Sequence, residues 1–148
     1  MKELYDFLKN QGFELHLKNN YYELYGEKRV YECVTGKKFI SSILKLVLNL
    51  LLYPEFGILN IELKLPFFSI GKSFLTFKGE RADLSSIYVN RFFRRKGYGT
   101  LLLESSECVL KQLGVKKVYV APTKDAERFY SKNGYKKLNT LWVKDLCD

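Results

Sequence analysis

One stretch constrains this chain more than any other: Ile87-Tyr88-Val89-Asn90-Arg91-Phe92-Phe93-Arg94-Arg95-Lys96-Gly97-Tyr98-Gly99-Thr100. An apolar run with strand character over 84–90 enters a basic turn carrying two glycines. A helical pattern over 100–113 follows at once and is stopped by Gly114. Glycines let a backbone approach a ligand closely. The amides of a first helical turn point outward unpaired, and the helix N-terminus adds a partial positive charge. A strand–turn–helix unit with these features binds an anion. It also needs a sheet to cover its apolar faces.

The rest of the chain supplies that sheet. Downstream, residues 115–121 are rich in β-branched and aromatic side chains and read as a strand. A short helix begins at Pro122-Thr123, with Asp125 and Glu127 suiting its first turn, and ends at Asn133-Gly134. Residues 135–138 and 141–143 can pair as the last strands. Upstream, 56–65 and 70–78 alternate as strands on either side of Pro66, and 79–83 is a polar turn. Residues 2–10 have helical spacing and 13–17 alternate as a strand. A hairpin is expected between 21–25 and 29–34, around Gly26-Glu27-Lys28. The apolar run 39–53 reads as a buried helix whose polar stripe carries Lys45 and Asn49, one helical turn apart. It is too short, and too interrupted, for a membrane span. The expected class is therefore α/β (α+β), one domain over 1–148 with a mixed sheet covered by helices.

Composition narrows the partners. The chain has 25 basic and 16 acidic residues, a net charge of +9, which favours anionic ligands without choosing among them. Cys33, Cys108 and Cys147 are widely spaced and odd in number. The first residues carry no secretory pattern, so reduced thiols in a cytoplasmic protein are expected. A single histidine, His16, alternates with Phe13, Leu15 and Leu17 as a strand residue. A histidine-based metal site or a Ser-His-Asp triad finds too few ligands, and no metal is expected.

Three glycine motifs compete for the central turn. A Walker A loop would need glycine at Pro66, five residues before Gly71-Lys72-Ser73. A dinucleotide fingerprint would need a third glycine where Leu102 stands. Arg94-x-x-Gly97-x-Gly99, following Val89 and Phe93 and opening a helix, fits neither. It resembles the cofactor loop of the GNAT superfamily of acyl-CoA-dependent N-acetyltransferases. A second segment supports the resemblance: 126–135 is similar to that superfamily's A-x-x-F-Y-x-x-x-G-F, through Ala126, Phe129, Tyr130, Gly134 and Tyr135. The two lie in order with a helix and a strand between them. The resemblance covers 84–138, and 1–83 diverges as the acceptor side.

The resemblance implies a mostly antiparallel central sheet and acetyl-CoA as cosubstrate. It places the pyrophosphate at Arg94, Arg95, Lys96, Gly97, Tyr98, Gly99 and Thr100, and the pantetheine arm along Ile87, Tyr88 and Val89. Thr123 takes the place of a cofactor-contacting asparagine, and Arg95 stands where many members have glycine. Tyr130 is the implied catalytic residue, protonating the departing thiolate. With an ordinary pKa near 10, a tyrosine is a proton donor at neutral pH. The general base is open. Glu62 is one candidate, whereas Glu80 and Asp83 read as solvated charges, and Glu104 and Glu107 as surface residues of the helix. Cys108 reads as a small buried residue.

The expected activity is acetyl transfer from acetyl-CoA to a primary amine of an unidentified acceptor. Two other readings compete. One is a basic nucleic-acid-binding module using charge and aromatic stacking. The other is a CoA-binding protein without transferase activity.

Overall fold

The structure is a computed structural model. It describes residues 45–146, the backbone of 14–18 and 21–27, and the positions Asp6, Lys9 and Asn10; of Lys45 and Leu52 it describes the backbone alone. The described strands are β1 (Glu14–Lys18), β2 (Tyr21–Glu27), β3 (Lys45–Leu52), β4 (Gly57–Leu65), β5 (Phe68–Lys78), β6 (Arg81–Val89), β7 (Lys117–Val120), β8 (Lys136–Leu138) and β9 (Leu141–Asp145). Among the described residues two α-helices with defined bounds accompany them, α1 (Tyr98–Gln112) and α2 (Glu127–Lys132). One sheet contains all nine described strands, in the order β1-β2-β3-β4-β5-β6-β7-β9-β8. Among these strands β6 and β7 run parallel, and the other neighbours are antiparallel. This is the mixed, mostly antiparallel α/β architecture that the sequence implies.

The core lies between the sheet and α1, which crosses β4, β5 and β6. Leu59, Ile61 and Leu63 alternate along β4 and are fully buried; Leu102, Leu103 and Leu110 meet this layer from α1. Each such leucine or isoleucine contributes about 1.5–3 kcal/mol of burial free energy. A buried hydrogen bond, Ser73 Oγ to Ser106 Oγ at 2.9 Å, ties β5 to α1. Gly71 and Lys72 serve the sheet as well. A Cβ on Gly71 would sit 2.5 Å from the Tyr88 carbonyl, and Lys72 pairs with Glu62 across β4 at 3.5 Å.

Three expectations need correction. The apolar run is not a helix over its described part: residues 45–52 form β3, and 39–44 lie outside the described residues. Leu46, Leu48 and Leu50 bury one face of β3, and Val47 on the other face is also buried. A strand covered on both faces reads as one continuous apolar run, which periodicity alone does not separate from a helix. The spacing of Lys45 and Asn49 fits a period of two as well as it fits a helical turn.

The expected hairpin partner of β2 is also different. Its two edges are occupied by β1 and β3, through Leu15↔Leu24 and Leu24↔Leu48, and residues 29–34 lie outside the described residues. Third, Glu107 is not a surface residue but 8% exposed. Both of its oxygens are engaged, by Tyr135 Oη at 2.9 Å and Lys144 Nζ at 2.9 Å. Of the expected leading helix, Asp6, Lys9 and Asn10 are helical, and its other residues lie outside the described set. His16 stands on β1 as expected.

Candidate active site

The sheet opens at its parallel pair. The β6–β7 ladder runs from Arg81↔Lys117 to Leu84↔Val120 and stops there, while β6 continues to Val89. Residues 86–89 therefore keep β5 on one side, and among the described residues no strand pairs with them on the other. At the same point the β5–β6 register slips, from Leu75↔Leu84 to Phe74↔Ser86, leaving Ser85 as a bulged residue. A bulge reverses which side chains face which side. Ala82 and Leu84 point into the α1 core before it; Ile87 and Val89 pack toward the core after it.

A cleft of about 540 Å³ occupies the opening, a size suited to a cofactor-sized ligand. Its walls include Ile87 and Val89 of β6, Phe93, Arg94, Arg95, Gly97, and the first turn of α1 at Tyr98, Gly99 and Thr100. The far wall is Ala126, Phe129, Tyr130 and Lys132.

The glycine turn is built residue by residue. The Asn90 amide donates to the Ile70 carbonyl at 2.7 Å, and Asn90 Oδ1 accepts from the Phe92 amide at 3.1 Å, capping a 3-10 turn over Arg91–Phe93. Arg94 folds back, its Nε donating to the Val89 carbonyl at 2.9 Å. Arg95 has φ 63°, the left-handed region, which explains why glycine suits this place. Gly97, with φ 87°, is the N-cap of α1, and a Cβ there would meet nothing within 4 Å. The first intrahelical bond is the Leu101 amide to the Gly97 carbonyl. The amides before it, of Tyr98, Gly99 and Thr100, belong to the first turn of α1, where a helix has no intrahelical acceptors for its N–H groups, and these three residues line the cleft. Gly99 serves a different purpose, since a Cβ there would stand 3.3 Å from the Phe129 ring.

Tyr130 is 6% exposed, and its ring meets Phe129 and Tyr135 edge to face, with centroids 5.1 and 5.5 Å away. Burial raises its pKa above the ordinary 10, so it stays protonated throughout the neutral range.

Of the residues singled out from sequence, the cleft gathers Ile87, Val89, Arg94, Arg95, Gly97, Tyr98, Gly99, Thr100 and Tyr130. Tyr88 lies on the opposite face of β6, Lys96 is exposed beside the turn, and Thr123 stands at the start of a 3-10 turn without a side-chain cap bond. Glu80 and Asp83 pair with Lys116 and Arg81 at 3.2 and 3.0 Å on the surface. Lys132 is the cleft residue that sequence reasoning missed. Its signal was its place three residues after Phe129, one helical turn along the same face.

The acetyltransferase (GNAT) family profile matches residues 60–135, which is 76 of 148 residues and reaches back into β4 and β5. No match is found among curated protein sequences. Solved structures share the fold. An acetyltransferase from Bacillus cereus superposes with a TM-score of 0.58 at 19% identity, over 61% of this chain and 74% of that one. The ribosomal-protein-S18-alanine N-acetyltransferase of Escherichia coli gives 0.56 at 18%, over 62% and 70%. The PaiA N-acetyltransferase of Thermoplasma acidophilum, solved in complex with coenzyme A, gives 0.52 at 23%, over 58% of each chain.

Proposed function

The chain belongs to the acetyltransferase (GNAT) family, and we propose that it transfers an acetyl group from acetyl-CoA to a primary amine in the cytoplasm, as a single domain. The observation that carries this reading is the cleft at the β6–β7 opening, bounded by a helix N-terminus at one end and by Tyr130 at the other. The first-turn amides of α1, with Arg95, Lys96 and Lys132 nearby, suit the pyrophosphate. The open space over Gly97 lets phosphate oxygens approach the backbone. The β7-side edge of 86–89 suits the pantetheine amides, as an added strand would.

In the reaction the amine nitrogen forms a bond to the thioester carbonyl carbon. The tetrahedral intermediate collapses with loss of the C–S bond, and the Tyr130 hydroxyl donates its proton to the departing thiolate. The nitrogen loses one proton as the amide forms, and that proton, carried by solvent, returns to the Tyr130 phenolate, so the products are the amide and the free thiol. A β6 amide on that edge stabilises the oxyanion. Arg94, tied to the Val89 carbonyl, acts by holding the turn against the strand more than by free charge.

Two measurements test the proposal. Acetyl-CoA should raise the unfolding temperature by mass action, with about 2.7 kcal/mol of added stability at a hundredfold excess over Kd. Thiol release with a panel of amines should then identify turnover. No thermal shift at saturating acetyl-CoA, together with salt-sensitive binding of single-stranded DNA, would instead support the nucleic-acid reading.

A further inference from the structure

Three aromatic side chains depart from the packing of the rest. Among the described residues the most exposed large apolar side chains are Phe67 at 89%, Phe92 at 74% and Phe68 at 63%. All three lie at one end of the sheet. Pro66 and Phe67 form the two-residue turn of the β4–β5 hairpin, closed by Leu65↔Phe68. The β5–β6 ladder ends beside it at Gly71↔Val89, and the Asn90 amide then donates to the Ile70 carbonyl. The 3-10 turn over Arg91–Phe93 therefore leaves β6 next to the start of β5, where Phe68 stands.

Both aromatic tips are held outward by buried anchors. Ile70 is buried two residues after Phe68. Phe93 packs on the core and meets the Tyr98 ring edge to face, with centroids 6.3 Å apart. Its neighbour Phe92 is left outside, its amide fixed by Asn90 Oδ1. Tight turns favour glycine, asparagine, aspartate or serine, so the turn itself does not call for a phenylalanine at its tip. A contiguous cluster of exposed apolar side chains marks an interaction surface.

Charge identifies the partner. Residues 63–74 and 86–98 carry six basic side chains, Lys64, Lys72, Arg91, Arg94, Arg95 and Lys96, and no acidic one. Lys72 is matched by Glu62, and Arg94, Arg95 and Lys96 belong to the glycine turn of the cleft. Lys64 and Arg91 remain, both exposed, one on β4 and the other just beyond β6. Two strand spacings, about 10 Å, separate those strands, with the hairpin tip beside them. Phenylalanines on projecting turns, ringed by cations, suit the headgroup boundary of an anionic bilayer. Single-stranded nucleic acid is less well served, because stacking uses open ring faces. Here the Arg91 guanidinium lies over Phe92 at 5.1 Å and that of Arg94 over Tyr88 at 5.7 Å, so one face of each ring is already covered.

We propose that this end of the sheet docks the protein on an anionic lipid bilayer. Phe67, Phe68 and Phe92 enter the headgroup–acyl boundary, and Lys64 and Arg91 meet lipid phosphates. The three phenylalanines are not among the residues lining the cleft, so the proposal stands independently of the acetyl-CoA reading.

Vesicle flotation with the full chain tests it. The wild type should float with phosphatidylcholine vesicles containing about one-third phosphatidylserine, and should bind pure phosphatidylcholine vesicles about tenfold more weakly or less. Lys64→Gln and Arg91→Gln should each weaken binding to the anionic vesicles about fivefold, the equivalent of about 1 kcal/mol per basic residue near the surface. Phe67→Ser combined with Phe92→Ser should abolish binding, while the unfolding temperature and the response to acetyl-CoA stay as in the wild type. Phe67→Trp keeps an aromatic tip and reports on insertion directly. Its emission should shift to the blue on adding anionic vesicles, against the unchanged emission of Trp142, the only tryptophan of the wild type. A wild type that does not float, binding that survives the double serine variant, or the lack of a blue shift overturns the proposal. Single-stranded DNA bound in place of vesicles, or a solution dimer that the serine variant dissociates, reassigns the patch and equally overturns it.

Discussion

Arg95 is the residue at which conformation and charge pull apart. Its φ of 63° costs a non-glycine residue on the order of 1 kcal/mol, while its side chain adds positive charge at the mouth of the cleft. Arg95→Gly should therefore unfold at equal or slightly higher denaturant, since the relief of strain is partly cancelled by the entropy of glycine. Acetyl-CoA affinity should fall several-fold at low ionic strength, and the difference should shrink as salt is added. A clear loss of stability would show that the arginine side chain holds the turn together. Tyr130 makes the second residue-scale prediction. Tyr130→Phe keeps the ring contacts with Phe129 and Tyr135, so acetyl-CoA affinity should persist, while turnover falls about 10²–10⁴-fold, the usual contribution of a positioned proton donor. Because burial raises the Tyr130 pKa above 10, no loss of wild-type activity attributable to its ionisation should occur below that pH. An unchanged rate in the phenylalanine variant assigns the proton to another donor.

Strand β6 decides the site at the scale of the element, and it carries one extra residue, Ser85. Deleting Ser85 would remove the bulge while keeping Leu84↔Leu75 and Ser86↔Phe74, so regular pairing with β5 leaves Ile87 and Val89 on the cleft face. The acetyl-CoA thermal shift should therefore persist in that variant, with the circular dichroism of the sheet retained; a shift that vanishes would mean that the bulge itself shapes the cleft. The same bulge marks the limit of what the sequence could disclose. The glycine turn, α1 and the Phe129-Tyr130 segment were legible because each is local: a strand, a turn chemistry and a helical period, all close in the chain. That Ile87 and Val89, and not Tyr88, would face the cleft depends on a register slip against β5, which leaves no trace in residue types. The strand β3 was hidden for a related reason. Its burial on both faces is a property of what covers it, so 39–53 offered only an apolar run. Asn60 and Asn49 fall opposite each other only through the β3–β4 register, and neither belongs to a local motif.

At the scale of the whole molecule, the C-terminal strands are held to α1 by the Tyr135–Glu107–Lys144 network. Burial raises the Glu107 pKa above its ordinary 4.5, against the opposing pull of Lys144 and Tyr135. A carboxyl raised in the folded state favours folding in its protonated form. Its contribution is complete below 4.5 and is lost as pH rises through the raised value. Relative to Glu107→Gln, the wild type should thus lose stability as pH climbs from 4.5 toward neutrality. Denaturant titrations across that range would read this, and parallel curves for the two proteins would exclude it. The halted β6–β7 ladder has a wider consequence. Among the described residues, four pairs join β7, β9 and β8 to the rest of the sheet by strand pairing. That short seam is also where acetyl-CoA is proposed to enter. A ligand seated there bridges both banks as a splint does. Amide exchange across β7 and β9 should slow on binding even at sites far from the phosphates, so that filling the cleft and fastening the C-terminal third become a single cooperative event.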